Sequence, residues 1–406
     1  MKTTLVANPP MGIYTNPEIH IGHASYIVLL DAIARYREKF LHEEVFFPSH
    51  SFNVYGQRAD RLAPKNASPG EFMVFLDQRA EEIIKKAKRR TKLNLSSHES
   101  VAENEPIVVQ GIQADFMKLY KLKYIFEREK EYYLDCPKIL ENFPVNSLLK
   151  EIRYHPPRIA SEFERISSEN TRRPVKVTRL TQYSASNPLD PNAEKIGPLF
   201  LLANLWEHKY PSDYKIFAGS YNALTRYLFL RMLCQIPLHQ RTGIDELVIY
   251  PKIFPEGGVE AWDLDKIKNK YEADMIRYTL LSSYSEHHEK VNLQLSRLNG
   301  GRNFVHLLAN LGKVFAKEEN TGLIMEQIYP DYPCDMENLK FPKVISTLES
   351  ILNKLSMKIN QSKRSKTFDL VNKKLASQYH TLMKLAEPIT PAICKFVEEA
   401  KCIPIK

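Results

Sequence analysis

Apolar positions along the chain follow two periods in turn. Thr3–Ala7 (TTLVA) is a short apolar run, ended by the Pro9–Pro10 pair and Gly12, and it predicts a buried strand. From Ala24 to Phe40, Ile27, Val28, Leu30, Ile33 and Ala34 recur at helical spacing, which predicts a helix. Val45–Phe47 predicts the next strand, stopped by Pro48. Strand, loop, helix and strand in this order make a βαβ unit, which implies a parallel sheet with a right-handed crossover.

Beyond about residue 70 the rhythm changes. Residues 77–94 predict a charged amphipathic helix, and Ala114–Asp135 a helix that runs into a strand-like end. Leu199–Leu205 predicts a helix, Lys215–Ala218 a strand, Tyr221–Leu233 the helix after it, and Leu247–Tyr250 a further strand. The Pro/Gly-rich stretch PKIFPEGG, 251–258, reads as a loop, and from about residue 263 the pattern is helical almost throughout. The predicted fold is α/β: a Rossmann-like parallel sheet split by an α/β insertion, followed by a helical C-terminal domain. The expected segments are 1–68, the first half of the sheet domain; 69–175, a connective insertion; 176–290, the second half; and 291–406, a helical bundle.

Composition narrows the class. A chain of 406 residues with 43% hydrophobic content can bury a large core in more than one domain, which excludes global disorder. The net charge of +9 permits a polyanionic partner without requiring one. Cys136, Cys234, Cys334, Cys394 and Cys402 are scattered, with no C-x-x-C pair. Neither a zinc knuckle nor a disulfide framework is indicated, and the expected compartment is the reducing cytoplasm. The N-terminus lacks a signal-peptide apolar region, and no stretch reaches the roughly 18 uncharged apolar residues of a membrane span. Lys354–Lys366 is basic, either to touch RNA or as a solvated helix face.

The chemistry concentrates at the first βα turn, Ile19-His20-Ile21-Gly22-His23-Ala24. A loop leaving a parallel strand and entering a helix offers unpaired N–H groups and partial positive charge to an anion. Two readings follow from the residues alone. His20 and His23 hydrogen-bond phosphate oxygens while Gly22 lets a ligand approach the backbone, or His20 caps the helix and His23 belongs to the surface or core.

In its wider context, PPMGIYTNPEIHIGHASYIVLLDAIARYREKF, 9–40, resembles the HIGH signature of class I aminoacyl-tRNA synthetases, in the subgroup that serves methionine, leucine, isoleucine and valine. WDLDKIKNKYEADMIRYTLLSS, 262–283, resembles the helix after the second signature loop of that family. REKEYYLDCPK, IRYHPPRIASEFERIS, RPVKVTRLTQYSASNP and LSRLNGGRNFVHLLANL are similar to further segments, and residues 365–399 resemble the helical anticodon-binding bundle. The resemblance implies ATP with Mg²⁺. It assigns the phosphates to His20, His23 and the helix N-terminus at Ala24, the adenosine to Gly22, and its ribose or base to Gly219 and Tyr221. Lys252 stands for a lysine of the mobile KMSKS-type loop. Met11, Tyr14, Asn53 and Tyr55 are expected in the amino-acid pocket.

The pattern also departs from the family. Lys252 is the only basic residue between Pro251 and Lys266, and the second loop lysine falls near Pro255 or Glu256. Tyr221 stands where the family carries an acid, Arg226 where it often has His, and Ser51 and Asn53 where an Asp meets the substrate ammonium, with Asp60 a displaced substitute. The insertion is too short for an editing domain and lacks the zinc-binding cysteines of the methionine enzyme. Three functions are compatible with this. One is an ATP-dependent amino-acid ligase of specialised metabolism, passing an amino acid to a small-molecule amine or hydroxylamine, with any cupin-like partner on a separate chain. The second is a non-catalytic nucleotide, tRNA or aminoacyl-tRNA binding module. The third is a genuine aminoacyl-tRNA ligase.

Overall fold

The structure is a computed structural model that describes residues 2–8, 21–47, 49–51, 68, 70–71, 74–75, 78, 100–102, 105–170, 172–180, 184–209, 212–220, 228–258, 267, 271–284, 290–294, 296–315, 325–364 and 368–400. The chain divides into two compact units, one of residues 1–19, 43–86 and 95–250, the other of 20–42, 87–94 and 251–406.

In chain order, β1 (Lys2–Asn8) leads to α1 (Ile21–Phe40), which packs within the second unit, and then to β2 (Glu44–Phe46). The first unit continues with β3 (Ser49–Ser51), β4 (Ser100–Ala102), α2 (Pro106–Lys121), β5 (Ile125–Arg128) and β6 (Glu131–Leu134). Then come α3 (Cys136–Asn142), α4 (Val145–Lys150), β7 (Arg153–His155), α5 (Ile159–Asn170), β8 (Val175–Lys176), β9 (Thr178–Arg179) and β10 (Lys195–Ile196). It closes with α6 (Pro198–Lys209), β11 (Tyr214–Ser220), α7 (Phe229–His239) and β12 (Glu246–Tyr250).

The central sheet is five-stranded and parallel throughout, in the order β2-β1-β11-β12-β7. Every residue of β12 is buried, as a strand covered on both faces must be. On α2 the buried Val108, Ile112, Phe116 and Leu119 recur every three or four residues and form one stripe. Phe116 meets Phe200 of α6 edge-on at 5.5 Å and Tyr132 of β6 at 5.8 Å. Helix α6 packs against both α2 and α7, which explains why PLFLLANLW carries so little polar surface.

At the amino edge of the sheet a charged cluster is buried. Glu207, near the end of α6, lies against Arg231 of α7, 3.1 Å from Lys215 Nζ at the start of β11 and 3.6 Å from Arg241. The Arg231 guanidinium also donates to the carbonyls of Ala203 (2.7 Å) and Gly243 (3.1 Å). Burial favours the neutral acid, but Arg231, Lys215 and Arg241 outweigh it and hold Glu207 at about 2. Burial pushes Lys215 below its ordinary value.

The second unit holds β13 (Lys252–Pro255), α8 (Ala273–Ser282), β14 (Lys290–Leu293), α9 (Ser296–Phe315), α10 (Tyr332–Glu337), α11 (Phe341–Arg364), α12 (Phe368–Ala386) and α13 (Pro391–Ala400), with α1 among them. Gly301 of α9 lets two helices touch: a Cβ there would stand 2.7 Å from the carbonyl oxygen of Met275 on α8. Asp274 of α8 accepts the N–H groups of Ala392 (3.3 Å) and Ile393 (2.7 Å) and caps α13.

Several elements differ from the sequence expectation. Helix α1 begins at Ile21, three residues early. The strand-like end of Ala114–Asp135 is an antiparallel hairpin, β5–β6. Segment 69–175 supplies β7 to the central sheet; three residues are too few to show a period. The stretch 251–258 is not all loop, since β13 pairs in parallel with β14 and interrupts the helical C-terminal half. Residues 79–94 of the expected charged helix and 221–227 of the helix after β11 lie outside the described residues. Among the described residues no helix is long and apolar enough to cross a membrane.

Candidate functional site

The strand order of the first unit reverses at β1. From β1 the chain proceeds to β2 on one side, while β11 pairs with β1 on the other. In open parallel sheets ligands bind outside the carboxyl ends of strands at such a switch point. At this edge Gly219 pairs with Asn8 on one side and Ile249 on the other, and Ser220 pairs with Tyr250. Gly219 is buried there and presents no side chain at the edge.

The second unit presents a helix N-terminus. Ile21, Gly22, His23 and Ala24 are the first turn of the 20-residue α1, and that turn carries no acidic residue. In any α-helix the leading N–H groups carry the positive end of the macrodipole. Ala24 is wholly buried. Gly22 is half-buried, and its carbonyl accepts Ser25 Oγ at 2.9 Å. Arg37 and Lys39 in the last turn suit the opposite pole. The turn fits an anion. The side chain of His23 lies outside the described residues, as do Met11, Tyr14, His20, Asn53, Tyr55 and Tyr221.

Lys252 opens β13 directly opposite Lys290 of β14, and its ammonium lies 5.1 Å from the centre of the Phe254 ring. The turn that follows is pinned at both ends. The Glu256 N–H donates to Leu293 O at 2.9 Å and the Gly258 N–H to Pro255 O at 3.0 Å. Gly257 and Gly258 have φ of +76° and +84°, a region that glycine enters without a Cβ penalty. An exposed carboxylate, Glu256, heads this turn. A triphosphate would be repelled there.

Sequence reasoning missed the scaffold behind α1. Asp31 is wholly buried and pairs with Arg277 at 2.6 Å and Arg35 at 3.0 Å. Arg35 reaches Glu387 at 2.6 Å, and Arg277 donates to the carbonyls of Pro388 (2.8 Å) and Ile389 (3.0 Å). The signal was present in the D-x-x-x-R-Y run of α1 and in ADMIRY of α8, but nothing in either says that they meet. In the first unit, His208 lies 2.7 Å from Asp115 and its ring covers Gly111, a pair that sequence spacing does not reveal.

No protein-family model matches the chain. The methionine–tRNA ligase of Clostridium tetani is 25% identical over 151 residues, 37% of this chain and 22% of the ligase. That of Caldanaerobacter subterraneus is 25% identical over 170 residues, 42% of this chain and 25% of the ligase. The matched stretches therefore span about a quarter of those relatives. Fold similarity is wider. Mycobacterium tuberculosis methionyl-tRNA synthetase in complex with methionyl-adenylate aligns at TM-score 0.74 and 10% identity, over 98% of this chain and 94% of that one. The LeuRS–tRNA–LeuAMS ternary complex of Agrobacterium radiobacter K84 aligns at TM-score 0.71 and 12% identity, over 100% of this chain and 86% of that one.

Proposed function

The chain has the fold of a class I aminoacyl-tRNA synthetase, and on that premise we propose that it uses ATP to activate an amino acid by adenylation, in specialised metabolism and in the cytoplasm. The observation that carries the reading is the fold match over nearly the whole chain to a synthetase bound to methionyl-adenylate. It is supported by the switch point at Asn8 and Gly219 and by an acid-free first turn on α1.

When bound, ATP supplies the α-phosphorus electrophile and the pyrophosphate leaving group. The α1 N-terminus, with His20 and His23, holds phosphate oxygens. Gly22 admits the adenosine, and Gly219 with Tyr221 borders its ribose or base. Met11, Tyr14, Asn53 and Tyr55 line the amino-acid side. The substrate carboxylate is already ionised and needs no general base. Mg²⁺ would accompany the triphosphate. Lys252 is the one remaining loop cation, and this weakened clamp argues for a specialised acceptor, an amine or hydroxylamine, rather than for translation. A cupin partner forms no part of the reading.

The carboxylate of Glu256 at the loop turn favours a second reading, a nucleotide- or tRNA-binding module that does not turn over. Loss of a phosphate-directed donor can cost about 3 kcal/mol of transition-state stabilisation, while binding needs less. Calorimetric titration with a non-hydrolysable ATP analogue separates both readings from neither. Binding that His20→Ala/His23→Ala abolishes supports the site, and undiminished binding in that variant removes it.

A further inference from the structure

The connection between α12 and α13, residues 387–390, is held from two sides within the second unit. Arg277 of α8 donates to the carbonyls of Pro388 at 2.8 Å and Ile389 at 3.0 Å. From α1, Arg35 reaches the Glu387 carboxylate at 2.6 Å, and Lys39 lies 3.8 Å from its other oxygen. Asp31, Arg35 and Lys39 follow one another at intervals of four, so they form one polar row along α1. This row lies in the half of the helix remote from its first turn. Arg35 also lies 3.0 Å from Asp31, but that bond is internal to α1 and cannot place the helix. Two bonds from outside can: Arg277 to Asp31 at 2.6 Å, and Glu387 to Arg35. Arg35 and Glu387 keep only 15% and 19% of their side-chain surface exposed, so salt and solvent screen the pair weakly.

We propose that Glu387 is a positioning residue for the opening turn of α1. By holding Arg35 it sets the axial register of the helix, and with it the place at which Ile21–Ala24 offer their N–H groups to a phosphate. The proposal rests on the reading of that turn as the phosphate site. Glu387 takes no part in the chemistry and acts through Arg35. Apolar packing is non-directional and tolerates a small slide of one helix on another, whereas a charge-assisted hydrogen bond has one best register. Fourteen residues separate Ile21 from Arg35, about 21 Å of helix at 1.5 Å per residue. A packed helix carries a displacement over that length as a rigid element. Neutralising Glu387 takes from Arg35 one of its two carboxylates and from Lys39 its nearby one. The hold of the connection on α1 weakens, and the first turn shifts with the helix.

The test is calorimetric titration of the full chain with a non-hydrolysable ATP analogue. Hydrogen exchange on the same variants is read at Ser25–Ile27, whose amides are the first to bond back into the opening turn. Glu387→Gln keeps the shape and removes the charge. It is expected to weaken analogue binding by about 2- to 30-fold and to speed exchange at Ser25–Ile27, while Val344–Leu348 of α11 keep their rates. Glu387→Asp, which retains the carboxylate, should recover most of the lost affinity. In an Arg35→Gln background, Glu387→Gln should cost less than about twofold more, because the residue it acts through is gone. Unchanged analogue affinity in Glu387→Gln overturns the proposal. So does a full loss that persists in the Arg35→Gln background, or exchange that rises equally in α11, which would leave Glu387 a purely structural role. If the native chain binds no analogue, the phosphate-site reading fails, and exchange at Ser25–Ile27 alone decides whether Glu387 positions the turn.

Discussion

The side chains of Asp31 and Arg277 form an ion pair of 2.6 Å in which both are wholly buried. The pair ties α1, whose first turn carries Gly22 and His23, to α8. Arg35 is shared by Asp31 and Glu387, Arg277 completes the pairing of Asp31, and Lys39 lies 3.8 Å from Glu387. Arg277 is further satisfied by the carbonyls that precede α13. The helix that presents the candidate phosphate-binding turn is thus fixed through buried hydrogen bonds as well as apolar packing.

Removing one partner leaves a charge buried without its counter-ion. Arg277→Ala is expected to destabilise the chain by about 3–5 kcal/mol in denaturant unfolding. The double variant Asp31→Leu/Arg277→Met should lose less than the single one, because the buried Asp31 carboxylate leaves with its partner while Arg35 keeps Glu387. A double variant that lost more would contradict the account of this pair.

The cap on α13 lies beside the ion pair, and Arg277 and Arg35 both favour its charged carboxylate. Asp274→Ala removes the acceptor for the Ala392 and Ile393 N–H groups and should cost about 1–2 kcal/mol. Hydrogen exchange should rise first in the opening turn of α13.

Acid sensitivity should arise in the first unit. Glu207 titrates at about 2 in the fold against an ordinary 4.5. Its pKa is depressed on folding, so its stabilisation is fully present above pH 4.5 and is lost as pH falls from 4.5 toward 2. The shift amounts to about 3 kcal/mol. Unfolding free energies of the native chain should fall through this window. Glu207→Gln, which strands Arg231 and Lys215, should be much less stable at pH 7 and should converge on the native chain near pH 2.

The sheet strands β1, β11 and β12 were legible because each is an apolar run bounded by Pro, Gly or polar residues. Helix α1 was legible because Ile27 to Ala34 keep a helical period. Of the hairpin β5–β6 only a strand-like end was legible, and strand β7 was not, since it is short and its ladder partner β12 lies far away in sequence. β13 hid inside a Pro/Gly-rich stretch whose glycines serve only the turn after it. At the candidate site, residue types at His20, Gly22 and His23 suggested phosphate chemistry, and the family resemblance added Lys252. The cross-strand meeting of Lys252 with Lys290 and the burial of Arg277 against Asp31 are tertiary facts that local spacing cannot carry.

Charge at the loop turn should govern the rate. Glu256→Lys replaces a carboxylate that repels triphosphate with a cation and is expected to raise amino-acid-dependent exchange by about tenfold or more. The backbone bond from the Glu256 N–H to Leu293 survives the change, so melting should move little.

Adenylation itself is tested most directly by amino-acid-dependent ATP–pyrophosphate exchange, screened over standard and N-hydroxylated amino acids, with and without total tRNA. The account predicts exchange with one substrate in the absence of tRNA, abolished in His20→Ala/His23→Ala. No exchange with any substrate under either condition, from a chain that binds ATP, would contradict it and leave the binding module in its place.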